Sequence, residues 1–142
     1  MSQTFHDPST HAERDLAALQ GTWEQVAFEE DGVVDPPDMH GAPGALTLIE
    51  GRQFTVRSTE GHVLLKGSFM LDASITPKAI TWIDAMGADE GKQLPASYVL
   101  DGDRFVFIAG NEGDPRPTAF RTEPGQTMRS FVRRRDGDTD GV

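Results

Sequence analysis

The sequence predicts an all-β protein: eight short antiparallel strands closed into an up-and-down barrel, with one short N-terminal helix. Three observations predict it. Glycine (15) and proline (9) are frequent in a chain of 142 residues, which implies many turns and so many short strands. Everything after Gly21 divides into short apolar runs separated by turn residues. Only one segment has helical periodicity, and it precedes the strands. No strand–helix–strand crossover is then available, so the sheet is antiparallel. A sheet of eight short strands has costly edges, and closure removes them. A β-sandwich is the alternative architecture.

The helix is "STHAERDLAALQG". Thr10 and Glu13 fit the S/T-x-x-E capping box. Ala12, Leu16 and Leu19 form an i, i+4, i+7 stripe that must lie on something apolar. Gly21 can end the helix with a positive φ. The strands follow in order. "TWEQVAFEE" is the first and stops at "DG"; "DPPDMHGAPG" reads as a loop, because prolines cannot donate to a ladder. "ALTLIE" and "QFTVRS" flank Gly51-Arg52, a tight hairpin. "HVLLKGSFMLD" and "KAITWIDA" come next. "PASYVLDGDRFVFIA" is a hairpin whose turn signal is Asp101-Gly102. A long connection, "GNEGDPRPTAFRTEPGQ", leads to the last strand, "TMRSFVRRR". Residues 1–9 and 136–142 read as flexible tails, leaving 10–135 as a single domain.

Composition excludes several functions. There is no cysteine, hence no disulfide, thiolate nucleophile or Cys-ligated metal. The formal net charge of −10 argues against nucleic acid, which is bound by neutralising phosphates. Arg133 to Arg135 beside "DGDTD" read as a solvated strand end. The start lacks the basic and apolar regions of a signal peptide, and no apolar run is long enough to span a membrane. The expectation is a cytoplasmic protein, monomer or homodimer, with no cofactor, no metal and no membrane partner.

Gly21-Thr22-Trp23, opening the first strand after a short helix, resembles the Gly-x-Trp signature of the lipocalins and their calycin relatives. In that superfamily the tryptophan plugs the closed barrel end and an arginine of the last strand packs over its ring. Arg133 or Arg134 stands where that partner belongs. "DLAALQGTWEQV", "TPKAITW", "YVLDGDRFVF" and "RPTAFRTEPG" occur in order. Together they resemble a family of small bacterial lipocalin-like domains, abundant in planctomycetes and of undetermined function. The resemblance covers Arg14 to Arg135. It implies a lipocalin-like barrel, a ligand pocket and a Trp–Arg plug, and supplies no catalytic motif.

Candidate chemistry is sparse. His6, His11, His40 and His62 show no metal-ligand spacing. Ser68, Ser97 and Ser130 lack a nucleophile motif. Asp84 shares parity with Ile80 and Trp82. It puts a carboxylate at the barrel mouth if that face is inward, and is otherwise a solvated strand-end residue. By parity the inward set is Trp23, Leu65, Phe69, Ile80, Trp82, Tyr98, Leu100, Phe105, Phe107 and Phe131. If Phe131 faces in, so do Arg129 and Arg133: one covers Trp23, and Arg129 is left to grip an anionic ligand group. With reversed parity Met128, Ser130 and Val132 face in instead. Phe120, in the long connection, reads as an anchor over a barrel end or as plain packing.

The expected function is binding of a small hydrophobic or amphipathic molecule inside the barrel, with Trp82, Tyr98, Arg129, Phe69, Phe107 and Asp84 as ligand contacts and Trp23 and Arg133 as structural plug. The alternatives are a cyclase- or isomerase-type barrel enzyme acting by positioning in a dry cavity, or a filled-barrel interaction module. Whether the protein is an enzyme is left open by the sequence.

Overall fold

A computed structural model describes residues 8–35 and 45–134. Expectations for 1–7, 36–44 and 135–142 lie outside these residues. The element order is α1 (Pro8–Leu19), β1 (Gly21–Glu30), β2 (Val33–Asp35), β3 (Leu46–Glu50), β4 (Gln53–Arg57), β5 (Val63–Asp72), β6 (Lys78–Asp84), β7 (Gln93–Asp101), β8 (Arg104–Ala109) and β9 (Thr127–Arg134). Strands β1 and β3 to β9 pair with their neighbours in sequence, all antiparallel, and β9 returns to β1. The result is a closed eight-stranded up-and-down barrel. It has no free edge at the β1–β9 junction, where an open sheet would expose two.

Three local expectations are corrected. The helix begins at Pro8, ahead of Thr10. Thr10 is therefore inside the described helix rather than ahead of it. Strand β2 was not expected. It pairs with the far half of β1 through a two-residue turn, Asp31-Gly32, with φ of 52° and 84°. Positive φ at both central positions is the type I′ pattern that matches strand twist. The Asp101-Gly102 signal is displaced by one residue. Asp101 pairs with Arg104, so the loop is Gly102-Asp103, with positive φ only at glycine. That is the II′ pattern.

The core is the inner face of the barrel. Leu19, Trp23, Ile49, Phe54, Phe69, Ile80, Trp82, Ala96, Tyr98, Phe105 and Phe131 form one buried cluster, joined by Leu65, Leu100 and Phe107. Every residue of the inward parity set belongs to it. Gly67 marks the tightest approach of two strands. A Cβ there would lie 2.2 Å from the Ile83 carbonyl oxygen and 2.9 Å from the Phe54 ring, so only glycine lets β5 lie this close to β6.

Helix α1 closes the end where β1 starts. Leu19 is fully buried and Leu16 packs beside it. The Trp23 indole N–H donates to the Leu19 carbonyl at 2.8 Å, satisfying an end-of-helix oxygen. The Gln20 amide bridges the helix to the β3–β4 turn: it donates to Leu16 O and Gly51 O and accepts from Gly51 N at 2.6 Å. Asp15 accepts from the Tyr98 hydroxyl at 2.6 Å and pairs with Lys78 at 3.0 Å.

Arg133 completes the plug. Its guanidinium carbon lies 4.3 Å from the Trp23 ring centre. Its N–H groups donate to Gln20 O, Ala18 O and the Asp103 carboxylate. Arg134 pairs with Glu24 at 3.3 Å. The two described arginines of the basic run are thus engaged in structure, and the solvated-strand-end reading is corrected for both. Arg135 lies outside the described residues.

Candidate functional site

Beyond Trp23, Ile49, Phe105 and Phe131 the interior opens into a cavity of about 720 Å³, within the range of small-molecule sites. Phe54, Trp82 and Phe107 wall it, and Asp84, Asp89, Asn111 and Thr127 stand toward the open end. Its aromatic rings form a connected set. Trp82 and Phe107 centroids are 4.9 Å apart; Phe107 and Phe131 stack at 6.0 Å with an 18° tilt. Phe54 meets Trp82 edge-on at 5.2 Å.

Two ionisable side chains on the wall are displaced from their ordinary behaviour. Arg129 on β9 donates from Nη1 to the Gln25 amide oxygen at 2.8 Å and lies 4.7 Å over the Phe28 ring. Burial lowers its pKa, and the charge of Glu30 partly opposes this. Asp84, the last residue of β6, is half-buried. Burial raises its pKa, and the neighbouring Asp89 charge adds to this. The solvated-Asp84 reading is corrected accordingly: the side chain is on the cavity wall.

A bulge in β1 builds the Arg129 environment. The β1–β9 ladder pairs Gln25 with Phe131 and Phe28 with Arg129, and slips between Gln25 and Ala27. Residues directly opposed in an antiparallel pair share a face. The extra residue therefore lets Gln25 and Phe28, three apart, both face inward beside Arg129, while Val26 turns out to solvent.

Of the residues singled out from sequence, Trp82, Phe107, Asp84 and Arg129 are brought together on the cavity wall, with Trp23 as its floor. Tyr98 and Phe69 are not. Both are buried in the packed part of the barrel. The Tyr98 hydroxyl is turned to Asp15, where burial and that carboxylate push its pKa far up and keep the phenol protonated. Phe120 is half-buried but does not line the cavity. The long connection is held instead by buried Ser97, whose hydroxyl donates to Pro117 O and accepts from Arg116, and by Thr122 on Glu29. A second cavity, about 450 Å³, is lined only by residues of Gly110–Gln126.

Sequence reasoning missed Gln25, Phe54, Asp89 and Asn111. Gln25 shares parity with Trp23 and Phe54 alternates with Val56, so both carried a signal. Asp89 and Asn111 lie in connections, where parity says nothing.

The indole N–H of Trp82 is buried and meets no hydrogen-bond acceptor among the described residues. Orphaned donors are uncommon in native folds and call for an explanation. Among the described residues no group of three or more His, Asp or Glu is placed to hold a metal ion. No described helix is long and apolar enough to cross a membrane.

Fold and site together define a class: a closed antiparallel barrel, plugged at one end by a helix and a Trp–Arg pair, with a large cavity toward the other end. No family model, curated protein or solved structure matches the chain.

Proposed function

We propose that this is a cytoplasmic lipocalin-like protein that binds a small hydrophobic or amphipathic molecule in the barrel. The carrying observation is the cavity of about 720 Å³, aromatic-walled and placed opposite the plugged end. A barrel that served only as a scaffold gains from filling its interior, since voids forfeit packing contacts. This one leaves a cavity toward the end opposite the plug and sets two displaced ionisable groups, Asp84 and Arg129, on its wall. That weighs against the filled-barrel interaction module. The Gly-Thr-Trp plug, with Arg133 over Trp23, supports grouping the chain with calycin-type barrels of the planctomycete kind it resembles.

The test is titration with the neutral, environment-sensitive dye Nile red. Saturable fluorescence gain at one dye per chain, abolished by a bulky substitution at the wall such as Ala109→Trp, is expected. Linear, non-saturating gain sinks the reading. Native mass spectrometry of protein from its own host then shows the resident molecule.

A second reading, a barrel enzyme, draws on Asp84. A carboxyl whose pKa is raised by burial, on the wall of a largely apolar cavity, is the kind of group that proton transfer to a bound molecule uses. It would act on the same ligand in the same cavity, and is separated from plain binding by chemical change of that ligand over time.

A further inference from the structure

Charge on the cavity wall is uneven in a way that bears on the ligand. Among the described residues, four charged ones border it: Glu24, Asp84, Asp89 and Arg129. Two of the carboxylates have cationic partners, Glu24 with Arg134 at 3.3 Å and Asp89 with Lys92 at 3.4 Å. Asp84 is driven by burial toward its neutral form.

Among the described residues Arg129 is the one cation on that wall, and none of their carboxylates lies within 4.0 Å of it. Its two neighbours, the Gln25 amide and the Phe28 ring, fix the guanidinium in place without neutralising it. A guanidinium has five N–H donors in a planar fork, and one is engaged here. Compare Arg133 on the same strand, whose fork meets two carbonyls and a carboxylate. Burying a charge is expensive unless it is paired. An oriented, half-buried guanidinium with no carboxylate in contact among the described residues, at the edge of a largely apolar cavity, is complementary to an anion that arrives with the ligand.

We propose that the cavity takes an organic acid, with its carboxylate held bidentately by Arg129 and its apolar body laid along Phe107, Phe131 and Trp82. The assignment rests on the binding reading above and adds the charged group. Geometry ties the two parts together. Arg129 is the register partner of Phe107, whose ring contacts both Phe131 and Trp82. A carboxylate on Arg129 therefore starts its hydrocarbon against the aromatic wall. A single negative charge suits the site better than two, because Asp84 and Asp89 border the cavity toward its open end and the charge of Glu30 also acts on Arg129.

The test uses the full chain and three probes: Nile red, dodecanoate and dodecanol. The last two share one apolar body and differ in the anionic group. Dodecanoate is expected to displace Nile red at about tenfold lower concentration than dodecanol at pH 8, the advantage of a charge-assisted bidentate contact. In Arg129→Gln that preference is lost: dodecanoate and dodecanol displace the dye at concentrations within about twofold of each other, whatever the variant's own Nile red affinity. Arg129→Lys keeps the charge without the fork, and retains part of the preference. Equal displacement by both probes in the unsubstituted protein, or a preference that survives in Arg129→Gln, overturns the organic-acid assignment and leaves the binding reading intact. Absence of saturable Nile red binding overturns both. The comparison within the unsubstituted protein decides the matter even if a variant fails to fold.

Discussion

The Arg133 guanidinium lies over the Trp23 ring at 4.3 Å while donating to two carbonyls at the helix-to-strand junction, Ala18 and Gln20. One side chain therefore joins the last strand, the first strand and the helix end. Trp23, fully buried, is the surface on which this junction rests.

Trp23→Ala should destabilise the protein by about 3–5 kcal/mol, the range for truncating a large core aromatic. Chemical denaturation with an unchanged m-value measures it. A loss under about 1 kcal/mol would show that Trp23 is not a plug.

Asp84 gives a pH signature of definite sign. Its folded-state pKa is raised above the ordinary 3.8 by burial. As pH rises from 3.8 through the raised value, the unfolded chain releases its proton first, so stability falls. Asp84→Asn cannot ionise and escapes that loss. The variant should melt above the parent at pH 7, and its advantage should shrink as the pH is lowered toward 3.8. A difference in Tm that does not change with pH refutes the buried-carboxyl account.

Thr122 ties the long β8–β9 connection to the β1–β2 hairpin. Its hydroxyl donates to Glu29 at 2.6 Å and accepts from Gly32 N at 2.7 Å. Thr122→Val keeps the shape and leaves both partners short of a bond, at a cost of about 1–3 kcal/mol. Hydrogen exchange should quicken across residues 110–126 before the rest of the barrel opens. Unchanged exchange there would mean that Ser97 and Arg116 hold the connection by themselves. The hydrogen bonds from Thr122 also keep the Glu29 carboxyl below its ordinary 4.5. That contribution is present above 4.5 and is lost as pH falls, so the gap between parent and variant should narrow in acid.

The sequence carried most of the fold because alternation and turn chemistry are local. Phe105 and Phe107, or Ile80 and Trp82, declare a common face by being two apart, whatever the strand packs on. Tyr98 shows the limit. Parity placed it inward correctly, yet inward positions differ by depth. Its hydroxyl meets Asp15 of the helix, a partner 83 residues away in sequence, and so Tyr98 belongs to the packed end rather than the cavity.

By itself the sequence determined the all-β class, the leading helix, the strand order and which residues share a face, such as Arg129 and Arg133 with Phe131; which face of that last strand turns inward it left open. Tertiary structure decided which of these line a space and which are packed. It also decided the bulge that puts Gln25 and Phe28 beside Arg129, and the burial that displaces Asp84. The physical reason is that facing follows from the two-residue period of one strand. Depth, desolvation and a slipped register depend on neighbouring strands brought together only when the barrel closes.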